Sequence, residues 1–210
     1  MDTNVATLVA AIIGGLIGGG LSGWLTMKAT DKAHNHTKEL EDYRQKQDVK
    51  SFLQAVYDEL ETLWQAYQLG IGSELTALKE GDALRMTFPI QQDYFTVYRA
   101  NAQRLGLVDD HDLRRQIVIT YTRANSMIDS IRQNNQFLME LDHWNRVFSE
   151  TQSQNHQLFA QTKFAALVDY AKKLKIGDQG LRKDISILTN MLLQQGVLSH
   201  SGDQNRLSLS

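Results

Sequence analysis

The chain has 210 residues, 22 Lys and Arg against 24 Asp and Glu, no cysteine and a single proline. A net charge of −2 gives no global electrostatic reason to bind nucleic acid, and the missing cysteines exclude disulfides and thiolate metal sites and suit a reducing cytoplasm. One proline amid abundant Leu, Ala, Gln, Glu and Lys, with no Asn-Gly or Asp-Gly hairpin signal, predicts an all-α chain.

The first predicted element is the most distinctive. Val5–Met27 (VATLVAAIIGGLIGGGLSGWLTM) is an uncharged, mostly apolar run of 23 residues. A helix needs ~20 such residues to cross the ~30 Å hydrocarbon core. Residues 1–4 carry no Lys or Arg, whereas Lys28, Lys32, Lys38, Arg44, Lys46 and Lys50 follow the run. Positive charge marks the cytoplasmic side, so the expected arrangement is single-pass in a bacterial inner membrane, N-terminus outside and body inside. No basic n-region or A-x-A-like site precedes it, which predicts an uncleaved anchor. Ala10, Gly14, Gly18 and Ser22 recur every four residues, as do Ala11, Gly15, Gly19 and Gly23. Such ridges let helices approach closely in lipid, so Gly14, Gly15, Gly18, Gly19, Ser22 and Gly23 are the expected packing residues of a homo-oligomer.

Residues 28–37 contain no Val, Ile, Leu or Phe and read as a polar juxtamembrane linker. A helical cytoplasmic domain is expected over 38–198. Its first helix, about Lys38–Leu69, carries Val49, Leu53, Val56, Leu60, Leu63 and Tyr67 at alternating spacings of four and three, and Gly70 and Gly72 break it. That seam fits packing within the chain and packing between chains equally well. Ser73 is placed to cap a short helix ending near Gly81. Thr87-Phe88-Pro89 predicts the opening of the next, since proline fits a first helical turn, and Gly106 its end.

Asp109 or Asp110 is expected to cap a long helix over about His111–Asn145. Ile117, Tyr121, Ala124, Ile128, Ile131, Asn135 and Leu138 form its seam, and Asn135 is the polar residue that would fix register or oligomer state. Polar Ser149–Gln157 separates it from a helix over Leu158–Leu174, which Gly177 ends. A last helix, about Leu181–Gln195, stops at Gly196, and a disordered tail is expected over 199–210.

Chemistry is sparse. Arg104 and His111 have a spacing loosely like that of HEPN-type ribonucleases, but Leu105 stands where a polar residue follows the Arg and Gly106 interrupts the helix. Glu140-Leu-Asp-His143 matches one half of a di-iron motif without a second copy, and reads as a solvated helix face. His34 and His36 fall on different helix faces and read as linker. No phosphate loop or dinucleotide fingerprint occurs, so no catalytic residue, cofactor or metal is expected. Arg114, Arg115, Arg123 and Arg132 are largely offset by Asp109, Asp110, Asp112 and Asp129, an ordinary charged face. Tyr94, Phe95 and Tyr98 read as core aromatics. The expected partners are membrane lipid, further copies of the chain and a cytoplasmic protein.

The stretches TFPIQQDYFTVYRANAQRLG (Thr87–Gly106) and LRRQIVITYTRANSMIDSIRQNN (Leu113–Asn135) resemble a group of poorly characterised bacterial proteins with one N-terminal anchor and a helical cytoplasmic body. Small anchored proteins of this kind include antiphage effectors that damage the inner membrane. The resemblance implies an effector or sensor and carries over no functional residue. Scaffolding of a cytoplasmic complex is the alternative, followed by a tethered HEPN-like ribonuclease that would use Arg104 and His111.

The glycine ridges have a direct consequence. Gly18→Leu is expected to weaken self-association of the Val5–Met27 segment in a membrane two-hybrid reporter, because the added side chain separates the backbones.

Overall fold

The computed structural model describes residues 3–90 and 93–198, with side chains at 34, 36–90 and 93–198. Every described element is helical: α1 (Thr3–Tyr67), a π-turn (Gln68–Gly72), α2 (Ser73–Ala77), α3 (Thr96–Ala100), α4 (Ala102–Leu105), α5 (His111–Thr151) and α6 (Gln154–Gln194). The chain divides into two units, Met1–Asp48 and Val49–Ser210.

In the first unit the backbone is helical from Thr3, and it stays helical through 28–37, the stretch expected as a linker. The described side chains from His36 to Asp48 are exposed. The side chains of Gly14, Gly15, Gly18, Gly19, Ser22 and Gly23, and of the whole Val5–Met27 run, lie outside the described residues. Among the described residues no helix is long and apolar enough to cross a membrane. Residues 199–210 are likewise outside the description.

The second unit is built on a helical hairpin. α5 and α6 each run 41 residues, joined through Gln152 and Ser153, with Gln152 in the left-handed region (φ 50°). The pairs Lys163–Glu140 (2.6 Å) and Arg123–Asp184 (3.0 Å) fix their antiparallel register. On α5 the residues Leu113, Ile117, Thr120, Ala124, Met127, Ile131, Asn134, Leu138 and Leu141 are buried, a strict alternation of four and three. The seam read from sequence shares four of these nine positions, Ile117, Ala124, Ile131 and Leu138. Its others, Tyr121, Ile128 and Asn135, lie one residue further round, where α1 and the 78–95 crossing segment contribute: Tyr121 meets Glu59, and Asn135 meets Phe88.

α6 corrects an expectation. Gly177 and Gly180 do not separate two helices; one helix runs through both. Two interior glycines cost about 1 kcal/mol each. Against this, Leu167, Leu174, Leu181, Ile185, Leu188 and Leu192 are buried along one face, and burying such a side chain contributes about 1.5–3 kcal/mol. A Cβ at Gly180 would overlap the end of the Arg123 side chain, which would have to move aside, whereas one at Gly177 would make ordinary contact, 3.4 Å from Met127 Sδ.

From Val49 onward α1 lies along this hairpin. Phe52, Leu53, Val56, Tyr57 and Leu60 are buried in one cluster with Leu113, Ile117, Tyr121, Leu181, Leu188 and Leu192. The first heptad seam is therefore covered within its own chain. Tyr67 Oη donates to Asp178 (2.8 Å), and Gln54 clamps the backbone N–H and C=O of Leu198 (2.8 and 3.0 Å), so α1 runs antiparallel to α6. The outer half of the hairpin has a small cluster of its own around Leu138, Leu141, Ala160 and Leu167.

Two further expectations are corrected between α1 and α5. Ser73 does not cap a helix; its hydroxyl donates to Gly70 O (2.6 Å), and α2 continues directly from the π-turn. Thr87-Phe88-Pro89 does not open a helix either. Asn135 accepts from Phe88 N–H (3.2 Å) and donates to Phe88 C=O (2.7 Å), taking both backbone groups that a helix would need, and α3 begins only at Thr96. Asp110 is the α5 cap, accepting from Leu113 N–H at 3.0 Å, and Gly196 (φ 76°) follows α6 as expected.

Asp110→Ala is expected to lower unfolding free energy by about 1 kcal/mol in a urea titration. Asp109→Ala, an exposed neighbour, should leave the midpoint unchanged.

Candidate functional site

Where α1 ends, the helix widens into the π-turn and Gly70 departs from helical geometry (φ −99°, ψ −111°). The turn is a kink between two helices, with Gly70 the residue that leaves the helical path. Beside this one lies a cavity of about 310 Å³. α1 contributes Leu60, Leu63, Trp64, Ala66 and Tyr67; α5 contributes Ala124, Met127, Ile128 and Ile131; α6 contributes Leu181 and Ile185. The crossing segment supplies the remaining wall with Phe88, Pro89, Ile90, Tyr94 and Phe95. None of the lining residues is charged. A volume of this size is at the lower end of small-molecule sites, ~300–1,000 Å³.

Two polar side chains hold the crossing segment in place. Asn135 clamps Phe88 as described. Glu59 accepts from Val97 N–H (2.7 Å), Tyr98 N–H (3.0 Å) and Tyr121 Oη (2.9 Å). One carboxylate of α1 thus caps α3 and binds α5. Phe95, just before α3, sits at φ 61°, a region costly for a bulky side chain. Its buried ring meets Tyr121 edge-on at 5.2 Å, and Tyr98 stacks on Tyr121 at 4.0 Å, so the surrounding packing holds the strained backbone. The core reading of these aromatics agrees with Phe95; Tyr94 and Phe95 also line the cavity.

A second polar group closes the other side. Asp178 accepts from Tyr67 Oη and pairs with Arg182 (2.8 Å), whose guanidinium also donates to Gly72 O (3.1 Å) and lies 5.4 Å from the centroid of the Trp64 ring. Burial, then the bond to Asp178, pushes the Tyr67 phenol far above its ordinary range. Burial, then the charge of Glu59, does the same to Tyr121, and burial raises Tyr98.

The other candidates from sequence are dispersed. Arg104 and His111 are exposed, as are His34 and His36. Glu140 pairs with Lys163, which holds its carboxyl below the usual range, and His143 stands edge-on to Trp144 at 5.1 Å. Among the described residues no group of three His, Asp or Glu could hold a metal. Arg114 donates to Val108 O, and Arg123 and Arg132 pair with Asp184 and Asp129. Asn135 has its amide engaged by Phe88 of its own chain, while its neighbour Asn134 is fully buried and donates to Leu84 O at 3.2 Å. Neither Glu59, one of three acids in Asp58–Glu61, nor Asp178 carries a sequence motif that marks it out.

With the geometry in hand, comparison with known proteins finds no matching family model, characterised sequence or solved structure. The class defined is an all-α protein whose second unit is a long antiparallel hairpin with a third helix packed along it.

The raised phenols have a worked sign. Tyr67 and Tyr121 ionise near 10 when unfolded and well above it when folded, so the unfolded state loses protons first. Their contribution to stability is complete below pH ~10 and is lost as pH rises beyond it. Urea titrations from pH 8 to 11 should show stability falling, and Tyr121→Phe should flatten that fall while costing about 1–3 kcal/mol at pH 8 by leaving Glu59 a donor short.

Proposed function

We propose that this is a non-enzymatic, membrane-anchored helical protein that self-associates through its glycine ridges and acts as an effector or sensor, perturbing the bacterial inner membrane in antiphage defence. The observation that carries the reading is the uncharged Val5–Met27 run, with Lys and Arg only on its C-terminal side. Lipid demands that backbone polar groups be satisfied within the segment, and the helical backbone from Thr3 supports that requirement being met. Gly14, Gly15, Gly18, Gly19, Ser22 and Gly23 are the residues assigned to helix contact.

Two features of the second unit support binding rather than catalysis. The two acids that anchor the elements around the cavity, Glu59 and Asp178, have their oxygens engaged in internal hydrogen bonds. The cavity itself presents carbon, which favours holding a molecule over transforming one. A scaffolding role is favoured by a different observation: Met139, Leu158 and Phe159 are exposed on the outer half of the hairpin, a surface suited to a cytoplasmic partner.

The test is growth and membrane potential in bacteria overproducing the full chain, its Gly18→Leu variant, or residues 28–210. Depolarisation by the full chain, reduced by Gly18→Leu and absent without residues 1–27, is the expected result. No depolarisation together with one stoichiometric co-purifying protein would replace the effector reading with the scaffold.

A further inference from the structure

We propose that the cavity beside the π-turn binds the free acid of a medium-length acyl chain. This rests on the membrane reading above, which puts such molecules within reach of the body. Its volume of about 310 Å³ corresponds to roughly ten water-sized groups at ~30 Å³ each, and hence a chain of about ten carbons. Water is a poor occupant, since each molecule needs two to four polar partners. The lining offers mostly carbon, and Tyr67 Oη is already donating to Asp178.

The carboxylate end is assigned by charge. No lining side chain is ionised, so a charged head must lie at the rim. Among the described cation–ring contacts, only that of Arg182 with Trp64 involves a lining ring. Arg182 Nε and Nη2 are taken by Asp178, Gly72 O and Thr76 Oγ1, so Nη1 of this 35% exposed side chain is the donor left for a carboxylate at the rim beside Trp64.

The three tryptophans make the test specific, because Trp64 lines the cavity, Trp144 belongs to the outer hairpin cluster and Trp24 falls in the apolar run. Full-length variants that each retain one tryptophan are reconstituted in phosphatidylcholine vesicles and titrated with 2-bromodecanoate, whose bromine sits beside the carboxylate and quenches indole on contact. Saturable quenching of Trp64 but not Trp144 is expected, with affinity about tenfold weaker for brominated decanol. Ile128→Phe and Ala66→Phe, which fill the cavity from the wall and from an exposed rim position, should each remove it while helix content stays unchanged. Should Ile128→Phe fail to fold, Ala66→Phe alone decides.

Quenching of Trp64 no greater than that of Trp144, or undiminished in the filled variant, would overturn the proposal. Equal affinity for the alcohol would overturn the Arg182 assignment. Quenching of Trp64 by brominated phospholipid alone would make the bilayer the source and overturn the free acid. Trp24 is read separately with brominated phospholipid: its failure to quench counts against the anchor and leaves the Trp64 result intact.

Discussion

The antiparallel pairing of α5 and α6 is the constraint on which the second unit depends. Each helix buries a stripe repeating at alternating four and three residues, and each stripe needs the other to leave water. Gly180 presents no side chain where the end of Arg123 lies across α6. Arg123 then reaches Asp184, while Gln116 and Thr120 bond Asp184 O, so polar groups at the seam's edge lock the register that the apolar groups permit. With that register set, Tyr121, Ile128 and Asn135 emerge together along one flank, and everything else is organised against them.

That flank explains how a segment with little regular structure becomes one wall of a cavity. The crossing segment from Leu78 to Phe95 contributes large apolar side chains but cannot satisfy its own backbone. Asn135 takes the amide groups of Phe88, Asn134 takes Leu84 O, and Glu59 takes the first free N–H groups of α3. Gln54 treats Leu198 as Asn135 treats Phe88. Asn135, Asn134 and Gln54 each fix a non-helical residue from a rigid helix, and Glu59 fixes the start of α3. The strained Phe95 belongs to the same scheme, held by its buried ring and by the capping of the helix that follows.

The cavity follows from these fixed points. Its apolar walls stand between two polar anchors, Glu59 with Tyr121 and Asp178 with Tyr67 and Arg182, whose hydrogen bonds are internal. A carbon-lined space with Arg182 at its edge suits an apolar chain carrying one anionic end, which joins the proposed acyl ligand to the proposed role beside a membrane. The π-turn at Gly70 lies in its wall, so the break at the end of α1 is part of the site rather than a simple helix stop.

Sequence alone determined what depends on local periodicity and local chemistry. The all-helical class, the first seam from Val49 to Tyr67, the Asp110 cap and the stop at Gly196 are set by residues within a turn or two of each other. The apolar run Val5–Met27 is equally a matter of composition. What needed the tertiary structure was every feature whose partner is distant in the chain. Gly177 reads as a breaker because the burial that carries its helix through, against α5, comes from residues distant in the chain. Pro89 read as a helix start because Asn135, forty-seven residues on, was not yet opposite Phe88. The same holds for Glu59, whose partners are two backbone amides and a phenol that only the packing of α1 against α5 brings within reach. A hydrogen bond or a close approach is a property of pairs, and a pattern along one strand of sequence records only one member of each.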